Sequence, residues 1–371
     1  TEFGDSIQFW QAASENEGSL PSITQNNLAD IGKSYTANSL PPLGSQHDYA
    51  IGTYRLGDQF EVPKDVEKTE VRDNFTTYYM KDVAVTVYTG PAQELLVNNQ
   101  LRGQGATYFF EPNTITNIHS TKKGSNTVRD IGPGSTRMEL IFAYGSPNAM
   151  WRDKKNETYI FLYEGHSENS LPQKKEFKSP VENTNSDSQQ QSMLGQQKEY
   201  IAFTIKQSNI EAVDIISGQV WPRFGLPKAE VYDFEAGTLT ADDFVLRGFK
   251  LNDHFVNDPN NDWKHQGILF GPTFIGYNEY GVSVDKKDLI NRVLLNVYTP
   301  TRRGIAMGDT KYLLLFVYGM PTRIVESTTK AGTSTVYEYK NPAASNSYLQ
   351  FALDDKNQYI KSVMLSDRPV K

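Results

Sequence analysis

The sequence predicts an α+β fold of two duplicated domains, each a short helix or helices packed on an antiparallel β-sheet. The first observation is a repeat: RDIGPGSTRMELIFAYGSP at residues 129–147 recurs as RGIAMGDTKYLLLFVYGMP at 303–321, with nine of nineteen positions identical. The second is that alternating or β-branched runs, separated by turn residues, flank both copies. A helix on one face of antiparallel strands is an α+β layer arrangement.

The repeat extends beyond the helix in both directions, and the matches keep the same order in the two halves. Upstream, YRLGDQF and YYMKDVAV correspond to FKLNDHF and YNEYGVSV. Downstream, YIFLYE and EYIAFTI correspond to TVYEYK and SYLQFAL. Matches in a common order are the signature of an internal duplication. The duplicated regions are predicted at about 50–217 and about 240–366.

Each copy of the repeat contains the signals that start, pack and end a short helix of about nine residues. In the first copy Ser135 or Thr136 can cap the free N-terminal amides, and Glu139 completes a Thr-x-x-Glu capping box. In the second copy Asp309 or Thr310 is the candidate cap. An apolar stripe follows in both, and a Gly-x-Pro sequence supplies a left-handed C-terminal cap and a stop.

The runs on either side of the helices predict strands because apolar and polar residues alternate in them. In the first half the strands ATYFF and TITNIHS are separated by the turn EPN. In the second half GVSV and LINRVLLNVYT are separated by DKKD. The last run, SYLQFALDDKNQYIKSVMLS, predicts a hairpin that turns at Asp355 to Asn357.

Two polar tracts set the predicted domain boundaries. One covers the N-terminal residues, which are rich in Ser, Asn, Gly and Pro, and the other is a predicted insertion within the first domain. The predicted organisation is a linker or peripheral segment at 1–48, a first α+β domain at 49–218 with a polar insertion at 165–198, a connector at 219–240 and a second α+β domain at 241–371.

Composition excludes several classes of function. With 37 basic and 44 acidic residues the net charge is −7, so the chain has no overall attraction to nucleic acid or to anionic membranes. The absence of cysteine excludes disulfides and thiolate chemistry and fits an exported bacterial protein. The longest apolar runs are shorter than the ~20 residues that span a bilayer. Because the chain starts at Thr1, we expect that a signal peptide, or a lipid-anchor cysteine, was removed upstream.

No constellation of residues predicts catalysis or a cofactor. The five histidines are scattered without metal-ligand spacing, and no phosphate-binding or nucleophile motif occurs. The acidic pairs 242–243 and 354–355 lack a predicted cleft in which one carboxyl could act as an acid and the other as a base. We therefore predict no catalytic residue, no metal site and no cofactor.

One segment resembles the start of a calcium-binding loop in its spacing of acidic and amide residues. Asp258, Asn260 and Asp262 alternate as calcium ligands do, but Trp263 stands where the turn glycine belongs and Leu269 where the bidentate glutamate belongs. A solvated turn is the better interpretation. Calcium binding stays an open alternative.

The aromatic residues are the one functional hint, since 21 Tyr, 19 Phe and 4 Trp are many for a polar chain. Tyrosine-rich β surfaces bind proteins or sugars, because a rigid ring offers a large contact area at a small entropic cost. Most of these rings are expected in the core. Trp151, Trp221 and Trp263 lie in non-periodic segments, so they are the candidates for a contact surface.

The pattern I-x-x-G-x-T-x-x-x-L-x-F-x-Y-G-x-P, followed by Y-x-Y and L-x-F-x-L strands, resembles a recurrent exported bacterial module. It is similar to the helix-then-meander modules of SmpA/BamE outer-membrane lipoproteins and of β-lactamase-inhibitor-like proteins. Those families differ in having shorter chains, disulfides or an anchor cysteine. The resemblance implies an exported protein that binds other proteins through a sheet face, and it transfers no catalytic residue.

The sequence thus predicts a non-enzymatic, secreted or cell-envelope protein, with a protein partner that it does not identify. Anchoring as a lipoprotein and free secretion are both open. The alternative is a carbohydrate- or cell-wall-binding protein that uses exposed aromatic residues. If function is local, we expect it where the two halves differ, in the insertion from Gly165 to Lys198, the connector from Gln219 to Thr240 and the loop from Asp258 to His265.

Overall fold

A computed structural model describes most of the two predicted domains. The chain divides into two compact units, Pro41–Tyr232 and Asp233–Lys371, which we call the first and the second domain. Residues 1–47, which make up nearly all of the predicted linker, lie outside the described residues. The described residues are 48–99, 104–153, 156, 158–166, 198–217, 230–231, 238–256, 268–269, 274–276, 280–295, 299–329, 332–354, 356 and 359–370.

The first domain is built on a nine-stranded antiparallel sheet with the order β13-β9-β10-β11-β12-β8-β5-β4-β3. Two further two-stranded sheets, β1-β2 and β6-β7, complete it. Its strands are β1 Ala50–Ile51, β2 Tyr54–Arg55, β3 Lys68–Arg72, β4 Phe75–Tyr79, β5 Ala84–Tyr88, β6 Gln93–Asn99, β7 Gln104–Phe110, β8 Thr114–Ser120, β9 Ala149–Asp153, β10 Thr158–His166, β11 Lys198–Lys206, β12 Asn209–Ser217 and β13 Glu230–Val231.

The second domain is built on an eight-stranded antiparallel sheet. Its order is β18-β19-β20-β21-β17-β16-β15-β14. The strands are β14 Ile268–Leu269, β15 Phe274–Gly276, β16 Tyr280–Val284, β17 Ile290–Leu295, β18 Arg323–Thr329, β19 Gly332–Lys340, β20 Tyr348–Leu353 and β21 Ile360–Ser366.

The two sheets share one topology. The run β9-β10-β11-β12-β8-β5-β4-β3 corresponds strand by strand to β18-β19-β20-β21-β17-β16-β15-β14. In both domains a single α-helix joins the central strand, β8 or β17, to the edge of the four-stranded meander that follows. The first domain adds the β6-β7 hairpin and the short strand β13, which pairs with β9.

The helices form where the repeat places them. Helix α1 is Arg137–Tyr144 and helix α2 is Lys311–Tyr318. Thr136 is the N-cap of α1, and with Glu139 it forms the capping box: the Thr136 amide donates to the Glu139 carboxylate at 2.7 Å, and the Glu139 amide donates to the Thr136 hydroxyl at 3.2 Å. Thr310 caps α2, where Leu313 replaces the glutamate and no box forms.

Both helices end at a glycine whose backbone conformation would strain any other residue. Gly145 has φ 76° and ψ −160°, and Gly319 has φ 71° and ψ −160°. This conformation differs from the predicted left-handed cap, since its ψ lies near 180° in a region that residues with a Cβ avoid. The amide of each glycine still donates to the helix, Gly145 to the carbonyl of Ile141 at 2.7 Å.

The predicted α+β class is wrong, because the described chain is mostly β. It contains two α-helices of eight residues and one four-residue 3-10 helix, Ala241–Phe244, against 21 strands. An eight-residue helix is about 12 Å long, whereas eight or nine strands span about 34–38 Å. Each helix can therefore cover only a small part of its sheet. Strands such as β3, in which all five residues are exposed, gave no alternating signal.

The predicted hairpins form around segments that are not described. β20 and β21 pair antiparallel as predicted, although Asp355 and Asn357 of the turn lie outside the described residues. β10 and β11 pair from Thr158 with Lys206 to His166 with Lys198, so the polar insertion connects the ends of a hairpin. Residues 167–197 of the insertion, and 219–229 and 232–237 of the predicted connector, lie outside the described residues.

Candidate functional site

The helix-side face of each sheet contains a buried ion pair. In the first domain the Arg129 guanidinium donates to both carboxylate oxygens of Asp48, at 3.0 and 3.2 Å, and to the carbonyl of Ala143 in α1 at 2.9 Å. It also stacks on the ring of Tyr144 at 4.8 Å. Both charged side chains are only 6% exposed. The pair thus holds the last turn of α1 to the segment that precedes β1.

The second domain repeats this pair. Arg303 donates to both oxygens of Asp243, at 2.6 and 2.8 Å, and to the carbonyl of Val317 in α2 at 3.1 Å. It also donates to the Thr238 carbonyl at 2.5 Å and lies over the Tyr318 ring at 5.4 Å. The Arg303 and Asp243 side chains are 1% and 0% exposed. A bidentate pair of this kind fixes a geometry that a single point charge would not.

An aromatic triad joins each helix to its sheet. Tyr144 contacts Tyr163 and Phe203 at 5.3 and 5.2 Å between ring centroids, and Tyr163 contacts Phe203 at 5.9 Å. The Tyr163 hydroxyl donates to the Gly145 carbonyl at 3.0 Å, beside the helix terminus. Burial raises the pKa of both tyrosines far above physiological pH, so both stay neutral.

The same triad occurs in the second domain as Tyr318, Tyr339 and Phe351. Its three centroid separations are 5.5, 5.2 and 5.8 Å, and the Tyr339 hydroxyl donates to the Gly319 carbonyl at 2.9 Å. The ring geometry is therefore nearly the same in the two domains. The residues shared by the two repeats hold the helix on the sheet.

The acidic pair at 242–243 is divided between solvent and core. The side chain of Asp242 is 69% exposed and lies 3.9 Å from Arg302, while Asp243 is the buried partner of Arg303. Of the other pair, Asp355 lies outside the described residues, and Asp354 accepts from the Tyr359 amide at 3.3 Å. The pair at 242–243 therefore does not present two carboxyl groups to a common site.

The opposite side of each sheet, which we call the outer face, differs between the domains. Side chains alternate along a strand, so the neighbours of Tyr163 and Phe203, namely Leu162 and Ala202, project away from the helix. One row of paired residues crosses the first sheet on this face: Ala149, Leu162, Ala202, Asp214 and His119. The row at the corresponding positions of the second sheet is Arg323, Glu338, Gln350, Met364 and Leu294. The row in the first domain is apolar at the Ala149 end and polar at the His119 end. The row in the second domain is polar at the Arg323 end and apolar at the Leu294 end.

In the first domain the apolar end of the row is covered and the polar end is open. Leu162, Ala202 and Ala149 belong to a buried cluster that includes Tyr108 and Phe110 of the β6-β7 hairpin. At the other end His119 Nδ1 lies 2.8 Å from Asp214 Oδ1, and 40% of the His119 side chain is exposed. The hydrogen bond to Asp214 raises the pKa of His119, against the opposing effect of burial.

Further polar groups continue this open end toward the edge of the sheet. The hydroxyls of Thr77 and Thr86 are 2.9 Å apart on neighbouring strands. On the edge strand β3, Glu70 pairs with Lys68 and accepts from the Tyr79 hydroxyl at 2.8 Å. The first domain therefore presents a polar outer surface across β3, β4, β5, β8 and β12.

In the second domain the polar end of the row is closed by the chain itself. Glu338 is 1% exposed and Gln350 is 3% exposed. Arg323 donates to Glu338 Oε1 at 3.3 Å, and Gln350 donates to Glu338 Oε2 at 3.0 Å. The segment Asp367–Val370, which follows β21, lies against these three side chains. We call this segment the tail.

The structure describes one of the three tryptophans predicted as a contact surface. Trp151 lies in β9, paired with Ile160 of β10, while Trp221, Trp263 and the whole Asp258–Asp262 loop are outside the described residues. Within the described ranges, no group of three or more His, Asp or Glu side chains could hold a metal ion. Large aromatic side chains exposed in the described chain are Phe109 and Tyr359, one in each domain.

Sequence reasoning missed the two aspartates that anchor the helices. Asp48 fell at the edge of the predicted linker, and Asp243 was considered only as one of an acidic pair. Extending the match of YRLGDQF with FKLNDHF by six residues upstream aligns Asp48 with Asp243. The signal was therefore present in the repeat, but none of the five residues between each aspartate and the matched segment is identical in the two halves.

The comparisons with known proteins give no family for this chain. No known protein family, curated protein or solved structure matches it. In the part of the chain that the structure describes, no helix has the length and apolar character needed to cross a membrane.

Proposed function

We propose that this chain is a non-enzymatic, protein-binding module of a secreted or cell-envelope protein, built from two duplicated domains whose outer sheet faces are the binding surfaces. One observation carries the proposal. The helix-side face has the same ion pair and aromatic triad in both domains, whereas the outer row changes from Ala149, Leu162 and Asp214 to Arg323, Glu338 and Met364.

Folding places different requirements on the two faces of each sheet. Residues that hold the helix on the sheet have to be retained in both domains, because the cost of leaving Arg129 or Arg303 buried without its aspartate is large. Outer-face residues are free to change once the fold is secured. At these paired positions the outer face contacts different groups, apolar side chains of the β6-β7 hairpin in the first domain and backbone groups of the tail in the second, which supports recognition of partners and not a shared reaction.

A site-specific photocrosslinking experiment tests this function. A photoreactive phenylalanine analogue replaces Thr77 or Thr86 on the outer face, or Val62 or Val128, which are 59% and 53% exposed elsewhere in the first domain. In a cell-envelope extract we expect a discrete protein adduct from the outer-face positions only. Excess unmodified chain should compete it away, and adducts of equal yield from all four positions would contradict the proposal.

The alternative, binding of carbohydrate or cell wall, is separated by a second measurement. Retention of the purified chain on cell wall, lost in a Trp263→Ala variant and accompanied by no protein adduct, would replace the present proposal. The described residues favour a protein, since the large aromatic side chains exposed among them, Phe109 and Tyr359, lie in different domains.

A further inference from the structure

The outer face of the second domain carries a buried carboxylate whose hydrogen bonds are completed by the tail. Glu338, at 1% exposure, accepts from the Arg323 guanidinium, from Gln350 Nε2 and from the Val370 amide, the last at 2.7 Å. A carboxylate withdrawn from water needs such donors, because an unpaired buried charge is strongly unfavourable. One of the three donors is a backbone amide from outside the sheet.

The contacts between these side chains and the tail are all made to backbone atoms. Besides the Val370 amide, Gln350 Nε2 donates to the Arg368 carbonyl at 2.9 Å, and Arg323 contacts the Val370 carbonyl oxygen at 3.5 Å. The ion pair of Arg368, at 3.7 Å, is with Asp367 of the tail itself. The three side chains therefore recognise backbone groups of the tail and not its side chains.

The fold itself does not require this polar set. In the first domain Leu162 and Ala202 occupy the positions of Glu338 and Gln350, and aromatic side chains of the β6-β7 hairpin cover them. Replacing buried ionic groups by well-packed apolar ones is often neutral or stabilising. A buried carboxylate kept at such a position is therefore better explained by recognition of a ligand than by stability.

We propose that Arg323, Glu338 and Gln350 form a binding site for the backbone of a peptide segment, which the tail occupies in cis and a partner's peptide takes in trans. The inference rests on the proposed function, because it specifies the part of the partner that is bound as the backbone of a peptide segment. Glu338 accepts the amide of the residue at the Val370 position, so the ligand cannot have proline there. The preceding position imposes no such limit, as Pro369 shows.

The first experiment uses the chain shortened to end at Asp367 and the acetylated, amidated peptide SDRPVK as the probe. We expect saturable binding of the peptide by calorimetry or fluorescence anisotropy. Glu338→Gln in the shortened chain should weaken binding about tenfold or more, because a charge-assisted bond becomes a neutral one. Glu326→Gln, an exposed carboxylate on β18, is the matched control, and the peptide with proline at the Val370 position should not bind.

A second measurement covers the outcome in which the shortened chain fails to fold. Since residues 1–371 contain no cysteine, one cysteine added after Lys371 of the unshortened chain can carry a fluorophore that reports the motion of the tail. We expect excess SDRPVK peptide to lower the anisotropy of the label, whereas the proline-substituted peptide should not. Absence of this displacement, together with absence of binding to the shortened chain, would overturn the inference. Crosslinking through Thr77 of the first domain would be unaffected, so the two proposals can fail separately.

Discussion

The clearest test of the repeated ion pair is Asp243→Asn. This substitution keeps the shape of the side chain but removes the charge that accepts from Arg303 at 2.6 and 2.8 Å. Oδ2 of Asp243 also accepts from the Thr240 amide at 2.8 Å, and the side chain of Arg303 is 1% exposed. The variant therefore leaves a cation in the core without its counter-charge.

The expected magnitude follows from this burial. Removing one partner of a buried pair costs about 3–5 kcal/mol, because the remaining charge stays desolvated. The carbonyls of Val317 and Thr238 still accept from Arg303, so we expect a value near the lower end. A second variant, Asp243→Leu with Arg303→Met, removes both charges and should recover much of the loss.

The assay must report on the second domain separately, because a two-domain chain need not unfold in one transition. Hydrogen exchange followed by mass spectrometry, across a urea series, gives the opening free energy of peptides that cover α2. Peptides that cover α1 provide an internal reference. Asp242→Asn is the matched control, because Asp242 is adjacent to Asp243 in the chain and its own side chain is 69% exposed. An equal effect of the two variants on α2 would refute the reasoning.

Three further predictions concern the cap, an aromatic hydroxyl and a titrating pair. Thr136→Ala removes the N-cap that forms the capping box with Glu139 and should destabilise the first domain by about 1 kcal/mol in urea unfolding. Tyr339→Phe removes the buried hydroxyl that donates to the Gly319 carbonyl and should cost the second domain about 1–3 kcal/mol by the same assay, since the carbonyl loses its partner. The raised pKa of His119 means that its pair with Asp214 contributes stability fully below the ordinary histidine pKa, and that this contribution is lost as pH rises through the raised value. The melting temperature of His119→Gln should therefore approach that of the native chain on going from pH 5.5 to pH 9. Each variant has a control of the same chemistry at an exposed position: Thr121→Ala, Tyr359→Phe and His254→Gln. A control that changes stability as much as its test variant would contradict the corresponding prediction.

The repeat predicted both helices from local signals. Thr136, Glu139 and Gly145 act within one or two turns of chain, so their roles can be recognised without knowledge of the fold. The hairpin of β20 and β21 was predicted for the same reason. The number of strands was not, because β3 is stabilised by backbone pairing with β4 while all its side chains are exposed. Such a strand has no alternating pattern to detect.

The candidate sites were also hard to predict where they depend on contacts between distant parts of the chain. Trp151, Trp221 and Trp263 were chosen because no local pattern explained them, and local patterns do not report which side chains share a surface. The pairs Asp48 with Arg129 and Glu338 with Gln350 join residues 81 and 12 positions apart. Contacts over such separations depend on strand order, which one sequence does not specify.

By itself, the sequence determined where each helix starts and ends, the repetition of the motif around it and the absence of cysteine chemistry. These features depend on residues close together in the chain or on composition alone. Only the tertiary structure decided that the chain is mostly β, that Asp243 is buried while Asp242 is not, and that the tail lies against Glu338. The physical reason is that burial and outer-face polarity are properties of packed sheets, and packing brings together residues that the chain keeps apart.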